Sequence, residues 1–290
     1  FTVSTSSASN YSSLSWASSG TGTFSSSTVL SPTYTPSAAD VTAGNVTLTL
    51  TANGNSPCPN TSDSLTLSIT ATPIVSAGAD NTICEGSNFN LSTASASNYS
   101  SLSWASSGTG IFSSNTVLSP TYTPSAADVT AGNVTLTLTA GGITLCSSES
   151  DSLTLSITKS PIVNAGVGDT ICNSVTSYAI TGATATNFSS LSWASSGTGT
   201  FSSSTVLSPT YTPSAADVTA GSVELILTAN GNSPCPNTSD TLTLSITTPP
   251  IANAGADGTI CEGSNFTVST SSASNYSSLS WASSGTGTFS

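Results

Sequence analysis

The sequence predicts an all-β protein: tandem β-sandwich modules of about 88 residues in a linear filament. Three observations carry that reading. The string Leu-Ser-Trp-Ala-Ser-Ser-Gly-Thr-Gly occurs four times, around Trp16, Trp104, Trp193 and Trp281. Apolar and hydroxyl residues alternate through whole segments, which is the period of a strand with one buried face. Gly, Asn and Pro interrupt these segments at close intervals, as they do in sandwiches.

The tryptophans are 88, 89 and 88 residues apart, and residues 1–25 are identical to residues 266–290. A module of this size can fold without a metal or a cross-link. The repeat divides the chain into a partial module at 1–72 that lacks its first strand, complete modules at 73–160 and 161–248, and a partial module at 249–290. The first residues read as mid-domain, so the chain is expected to be an internal stretch of a longer protein.

The strands follow from alternation. Residues 45–51 place Val46, Leu48 and Leu50 on one face, and residues 64–70 place Leu65, Leu67 and Ile69 likewise. Thr and Ser take the outward positions, where they favour strands and accept water. In the second module, strand A is expected at 73–84, B at 89–96, C around Trp104, F after Gly132 and G at 152–158. A short helical turn is expected at 35–40, where Ser37 and Asp40 have capping-box spacing. A turn of this kind joins the fifth and sixth strands of immunoglobulin-like sandwiches. A tryptophan on strand C of such a sandwich is a core plug, so Trp16, Trp104, Trp193 and Trp281 are assigned to cores and not to sugar stacking. Tyr34, Tyr122 and Tyr211 are assigned to packing.

Composition narrows the chemistry. Lys159 is the one basic side chain, His is absent, and 13 acidic residues give a formal charge of −12. Nucleic-acid binding requires clustered cations, as does attraction to an anionic membrane, and both are excluded. No apolar run reaches the roughly 18 residues of a membrane span. Without His, and with a single Lys, the base that usually activates a nucleophile is missing, and the acidic residues repeat with the modules; no enzyme is expected. No cofactor is expected either. For calcium the candidates are Asp80, Asp169 and Asp257, with Glu85 and Glu262 beside cysteines, but no Asp-x-Asp pair or EF-hand loop accompanies them. Lys–Asn isopeptide cross-links would need a lysine in every module.

The six cysteines, Cys58, Cys84, Cys146, Cys172, Cys235 and Cys261, are separated by alternating steps of 26 and of 62 or 63 residues. With no His and no C-x-x-C pair, disulfides in an oxidising compartment are the natural reading. Three pairings fit the spacing. One joins neighbours across a linker (Cys58–Cys84, Cys146–Cys172, Cys235–Cys261). Another joins partners within a module (Cys84–Cys146, Cys172–Cys235). The third staples successive modules (Cys84–Cys235). Bridged Cα atoms lie within about 7 Å, and strand reach favours the staple.

The string Ala-Gly-Ala-Asp-Asn-Thr-Ile-Cys-Glu-Gly at 77–86 resembles the opening of PKD-like and immunoglobulin-like repeats in giant surface proteins of Bacteroidota. The Trp-x-Ser-Ser-Gly-Thr-Gly and Tyr-Thr-Pro-Ser-Ala-Ala-Asp strings resemble the same repeats. That group includes gliding-motility adhesins exported by the type IX secretion system. The resemblance implies an extracellular, cell-surface location and a role in adhesion and gliding. The triplets at Asp63, Asp151, Asp169 and Asp240 resemble Asp-Ser/Thr-apolar O-glycan sites, which makes Ser64, Ser152, Thr170 and Thr241 candidates. The leading expectation is a shaft or spacer whose partners are neighbouring modules of its own chain, with surface glycans or abiotic surfaces as further partners. The alternatives are an array of carbohydrate-binding modules and a self-associating matrix or sheath protein.

Overall fold

The computed structural model describes residues 1–290. The chain divides into two compact units, Phe1–Ile157 and Thr158–Ser290.

The first unit contains two hydrophobic cores. The second of these lies between two sheets. One sheet has the strand order Ser101–Ser106, Asn133–Gly141, Glu149–Thr158, Asn81–Cys84; the other has Ile111–Phe112, Thr121–Thr123, Phe89–Asn90. Leu136, Leu138 and Leu155 are fully buried, and each contributes roughly 1.5–3 kcal/mol by leaving water. Their outward neighbours are hydroxyls that meet across the strands: Thr137 Oγ1 lies 2.9 Å from Ser152 Oγ, and Thr139 Oγ1 lies 2.9 Å from Ser150 Oγ. The other core of this unit is roofed by a three-stranded sheet in the order Tyr11–Ser18, Asn45–Gly54, Thr61–Ser68, and by the pair Thr23–Phe24 with Tyr34–Thr35. Val46, Leu48 and Leu50 point into it, as the alternation requires.

The second unit repeats the design. A four-stranded sheet runs Asp169–Cys172, Thr238–Thr247, Ser222–Gly231, Phe188–Ser195 and faces Tyr178–Ala179, Thr210–Thr212, Thr200–Phe201. Leu225, Leu227 and Leu244 are fully buried between them. The final ribbon pairs Ile251–Asn253 with Ser272–Ser274. The fold is therefore all-β, built of tandem sandwiches with open sheets.

Three strands depart from the sequence reading. Strand A is two strands in different sheets: Ile74–Ser76 pairs with Ser95–Ser97, and Asn81–Cys84 joins the sheet edge beside Glu149–Thr158. Gly78, at φ +99°, turns the chain between them, a conformation that glycine adopts without a Cβ clash. Strand B likewise divides into Phe89–Asn90 and Ser95–Ser97, with Leu91 between them fully buried. Strand G starts at Glu149, three residues before the expected Ser152, because Glu149 already pairs with Ala140.

The expected turn is a helix, Ala38–Ala43, with counterparts Ala126–Ala131 and Ala215–Ala220. Each begins with the expected capping box and ends at a left-handed glycine: Gly44, Gly132 or Gly221.

Candidate functional site

The most connected polar group in each sandwich is a buried aspartate: Asp40, Asp128 or Asp217. Asp128 shows how it is built. Its place as the third residue of the helix puts its carboxylate beside Ser125 N–H, which donates to Oδ2 at 3.0 Å, while Ser125 Oγ accepts from Asp128 N–H at 3.2 Å. Gly110 N–H donates to Oδ2 at 2.9 Å and Thr109 N–H donates to Oδ1 at 2.9 Å. The fully buried Tyr122 donates its hydroxyl to Oδ2 at 2.8 Å, and the Tyr122 hydroxyl also lies 2.8 Å from Ser106 Oγ.

These bonds explain two sequence strings at once. Ser-Ser-Gly-Thr-Gly and Tyr-Thr-Pro-Ser-Ala-Ala-Asp supply the two sides of one knot. A Cβ at Gly108 would lie 2.0 Å from Asp128 Oδ1, and one at Gly110 would lie 2.5 Å from the Tyr122 hydroxyl, so only glycine admits the carboxylate. The knot recurs around Asp40 with Thr21, Gly22, Tyr34 and Ser37, and around Asp217 with Thr198, Gly199, Tyr211 and Ser214.

The surroundings hold these carboxylates charged. Ser37 N–H leads in lowering Asp40 to about 2; burial opposes it, and Thr21, Tyr34 and Gly22 reinforce it. For Asp128 and Asp217, burial alone would raise the pKa, but the backbone donors and the tyrosine outweigh it and the net shift is downward. Burial, with the facing carboxylate, pushes Tyr122 and Tyr211 upward. A carboxylate that already accepts four hydrogen bonds and is 2% exposed is closed to a substrate. The arrangement ties the end of the Trp104 strand, the tyrosine strand and the helix into one unit.

Trp16, Trp104 and Trp193 are buried. Their indole N–H groups donate to the carbonyls of Val29, Val117 and Val206 at 3.0, 3.2 and 3.1 Å. Each stacks in a tilted series: Trp104 and Phe112 centroids lie 5.8 Å apart, and Phe112 and Tyr122 centroids 4.9 Å apart. Trp281 is 48% exposed and lies outside any strand, because these 290 residues contain no counterpart of Asn133–Gly141 for it to pack on.

The glycan candidates Ser64, Ser152, Thr170 and Thr241 are all exposed and sit within strands. The aspartate of the triplet also has a structural task that the sequence did not reveal. Asp151 Oδ2 accepts from Ala77 N–H at 2.9 Å, and Asp240 Oδ2 from Ala165 N–H at 2.8 Å. Asp80, a calcium candidate, accepts from Thr154 N–H at 2.7 Å. Asp80, Asp169, Asp257, Glu85 and Glu262 are not brought together; no group of three or more His, Cys, Asp or Glu side chains could hold a metal ion.

Cys84 and Cys235 are disulfide-bonded and buried. Cys58, Cys146, Cys172 and Cys261 are thiols, so neither the linker pairing nor the intramodule pairing is formed. Cys146 Sγ lies 3.5 Å from Thr70 O, and Cys235 Sγ lies 3.3 Å from Thr158 O, so two successive modules place this cysteine in the same local setting.

No protein-family description matches the chain, and no curated protein matches it. Solved structures do. An I-band fragment of titin is 12% identical with a TM-score of 0.46, covering 81% of this chain and 87% of that one. A mutated three-Ig-domain titin fragment is 14% identical with a TM-score of 0.44 over the same shares. The extracellular cadherin domains 3–6 of protocadherin gamma B2 are 17% identical with a TM-score of 0.36, covering 81% of this chain and 67% of that one. All three TM-scores fall below 0.5, so the sheets and cores described above define the architecture. No helix is long and apolar enough to cross a membrane.

Proposed function

We propose that the chain is a stretch of shaft in a long extracellular surface protein, holding a binding end away from the cell. One observation carries this reading: the same core and the same saturated aspartate knot recur in three sandwiches, and the polar side chains of the knot are spent on holding the fold. The modules are those at 1–72, 73–160, 161–248 and 249–290. A sandwich strand of 11 or 12 residues rises about 3.3 Å per residue, so a module extends the shaft by roughly 35–40 Å. The strings at 77–86 and around the tryptophans point to a surface adhesin of Bacteroidota, of the gliding type.

The two half-cystines support a Cys84–Cys235 staple between successive modules. By the register of the repeat, Cys58, Cys146, Cys172 and Cys261 would then take partners in further modules of a longer chain. A bridge enclosing about 150 residues stabilises by about 4–5 kcal/mol in the chain-entropy account. O-glycans on exposed Ser64, Ser152, Thr170 or Thr241 belong to the same reading. Intact mass of native material should exceed the polypeptide mass; a bare polypeptide mass removes the glycan assignment.

Labelling intact native cells with an antibody to the repeat tests the function. The expected image is thin filaments standing off the surface. Label confined to the cell interior would sink the proposal.

A further inference from the structure

Two sandwiches carry an Asn-Gly pair at the end of a core strand: Asn53-Gly54 closes Asn45–Gly54, and Asn230-Gly231 closes Ser222–Gly231. Asparagine before glycine is the pairing most prone to lose ammonia, because glycine has no side chain to keep its amide nitrogen away from the asparagine Cγ. The glycine cannot be exchanged here. A Cβ on Gly231 would run into the carbonyl oxygens of Cys235 and Pro236, and one on Gly54 into those of Cys58 and Pro59. Both residues of each pair are half-buried, so water reaches them.

Every group that would react is held. Gly231 N–H, the nucleophile, donates to Asn237 Oδ1 at 3.0 Å. Asn230 Nδ2, the leaving group, donates to Ser190 Oγ at 2.9 Å. Ser189 Oγ donates to Asn230 O and Gly231 O, at 3.0 and 3.2 Å, which resists the backbone rotation that would carry the nitrogen onto Cγ. The first sandwich repeats the arrangement: Gly54 N–H donates to Asn60 Oδ1 at 3.1 Å, Asn53 Nδ2 to Ser13 Oγ at 2.9 Å, and Ser12 Oγ to Asn53 O and Gly54 O at 3.0 and 3.2 Å. The second sandwich supplies the contrast. It has Gly141-Gly142 in place of the pair and Ser148 in place of the loop asparagine, while Ser100 Oγ still donates to both glycine carbonyls, at 3.2 and 2.8 Å. Where the reactive asparagine is absent, the asparagine that holds the glycine N–H is absent as well.

We propose that Asn53-Gly54 and Asn230-Gly231 are guarded modification sites: Asn60 and Asn237 keep them intact in the folded sandwich, and unfolding opens them to conversion into isoaspartate. The step needs only water. The Gly231 nitrogen loses its proton and attacks Asn230 Cγ; the Cγ–Nδ2 bond breaks, ammonia leaves, and a five-membered succinimide closes. Water then opens the ring at either carbonyl, giving aspartate or isoaspartate. Isoaspartate routes the main chain through Cβ and adds a negative charge, so the strand cannot recover the pairing of Gly231 with Phe188 and of Asn230 with Ser190. Conversion therefore runs one way and records that the sandwich has opened. The second sandwich, with Gly141-Gly142, opens and closes without that mark.

Ageing the 290-residue protein at mildly alkaline pH tests the guard. Unfolding, reduction and cleavage after Lys159 then place Asn53 and Asn230 on different fragments, where mass and isoaspartate content are read separately. Folded wild type should convert at both sites at least about tenfold more slowly than the denaturant-unfolded chain. Asn237→Ala removes the bond to Gly231 N–H and should speed conversion at Asn230 by about tenfold, with Asn53 unchanged as the internal control. Asn237→Asp keeps an acceptor for Gly231 N–H and should stay near the wild-type rate. Trp193→Ala loosens the same sandwich without touching the guard, and corrects for lost stability. Conversion at Asn230 as fast in folded wild type as in the unfolded chain overturns the proposal. So does an Asn237→Ala rate no higher than that of Trp193→Ala at equal fraction unfolded.

Discussion

Asp128→Asn lowers the stability of its sandwich by about 3 kcal/mol. Two carboxylate oxygens take four donors: Thr109 N–H on Oδ1, and Gly110 N–H, Ser125 N–H and the Tyr122 hydroxyl on Oδ2. Asparagine has one oxygen and one NH₂. If its oxygen faces the three donors, Thr109 N–H faces an amide donor; if it is turned the other way, three donors lose their acceptor. Buried unpaired donors cost about 1–3 kcal/mol each, and the lost charge weakens the bonds that remain.

The same substitution changes the acid limb of unfolding. A carboxyl whose pKa is depressed on folding stabilises fully above its unfolded value, near 3.9, and loses that contribution as pH falls through the folded value. For Asp40 the folded value is about 2, and Asp128 and Asp217 shift in the same direction. The wild-type protein therefore weakens between pH about 4 and about 2, and the variant weakens less over that window. Urea unfolding at neutral and acid pH measures both effects. A variant within about 0.5 kcal/mol of wild type at neutral pH would show that the knot carries no stability.

Trp104→Ala has an effect of similar or larger size, about 3–5 kcal/mol. Trp104 is 4% exposed, packs against Phe112, and donates its indole N–H to Val117 O. Alanine removes most of that contact, leaves a cavity between the sheets and strands the Val117 carbonyl. A domain of this size has only about 5–15 kcal/mol in total, so much of its margin disappears. Leu145→Ala provides the internal comparison: at 99% exposure it should cost under about 1 kcal/mol. Equal shifts in the urea midpoint for the two variants would place Trp104 outside the core.

Much of this architecture was legible in the sequence, because a two-residue period leaves little freedom about which face is buried. Val46, Leu48, Leu50 and Trp104 point inward as that period requires. The capping box at Ser37 and Asp40 was legible as well. The knot was not. Once Asp40 is explained as a helix cap, nothing local shows that it also reaches Gly22 and Tyr34. The signal that could have found it is non-local: two glycines 18 and 20 residues before each helix aspartate, in every complete copy. The split of strand A was hidden for a related reason. Alternation marks strands but does not say where a chain changes sheet; here the change falls at Gly78, after Ala77 has donated to Asp151.

The shaft proposal makes its most direct prediction for single molecules stretched end to end. An unfolded module of about 88 residues releases roughly 270 Å of chain, since extended residues span about 3.3–3.6 Å each. With the proposed Cys84–Cys235 bridge intact, the enclosed parts of the two complete modules would not extend. The account predicts one release of roughly 200 Å from the first sandwich under oxidising conditions and two additional steps of roughly 250 Å after reduction. Featureless extension from zero force, with no discrete step before or after reduction, would contradict a chain built to bear tension.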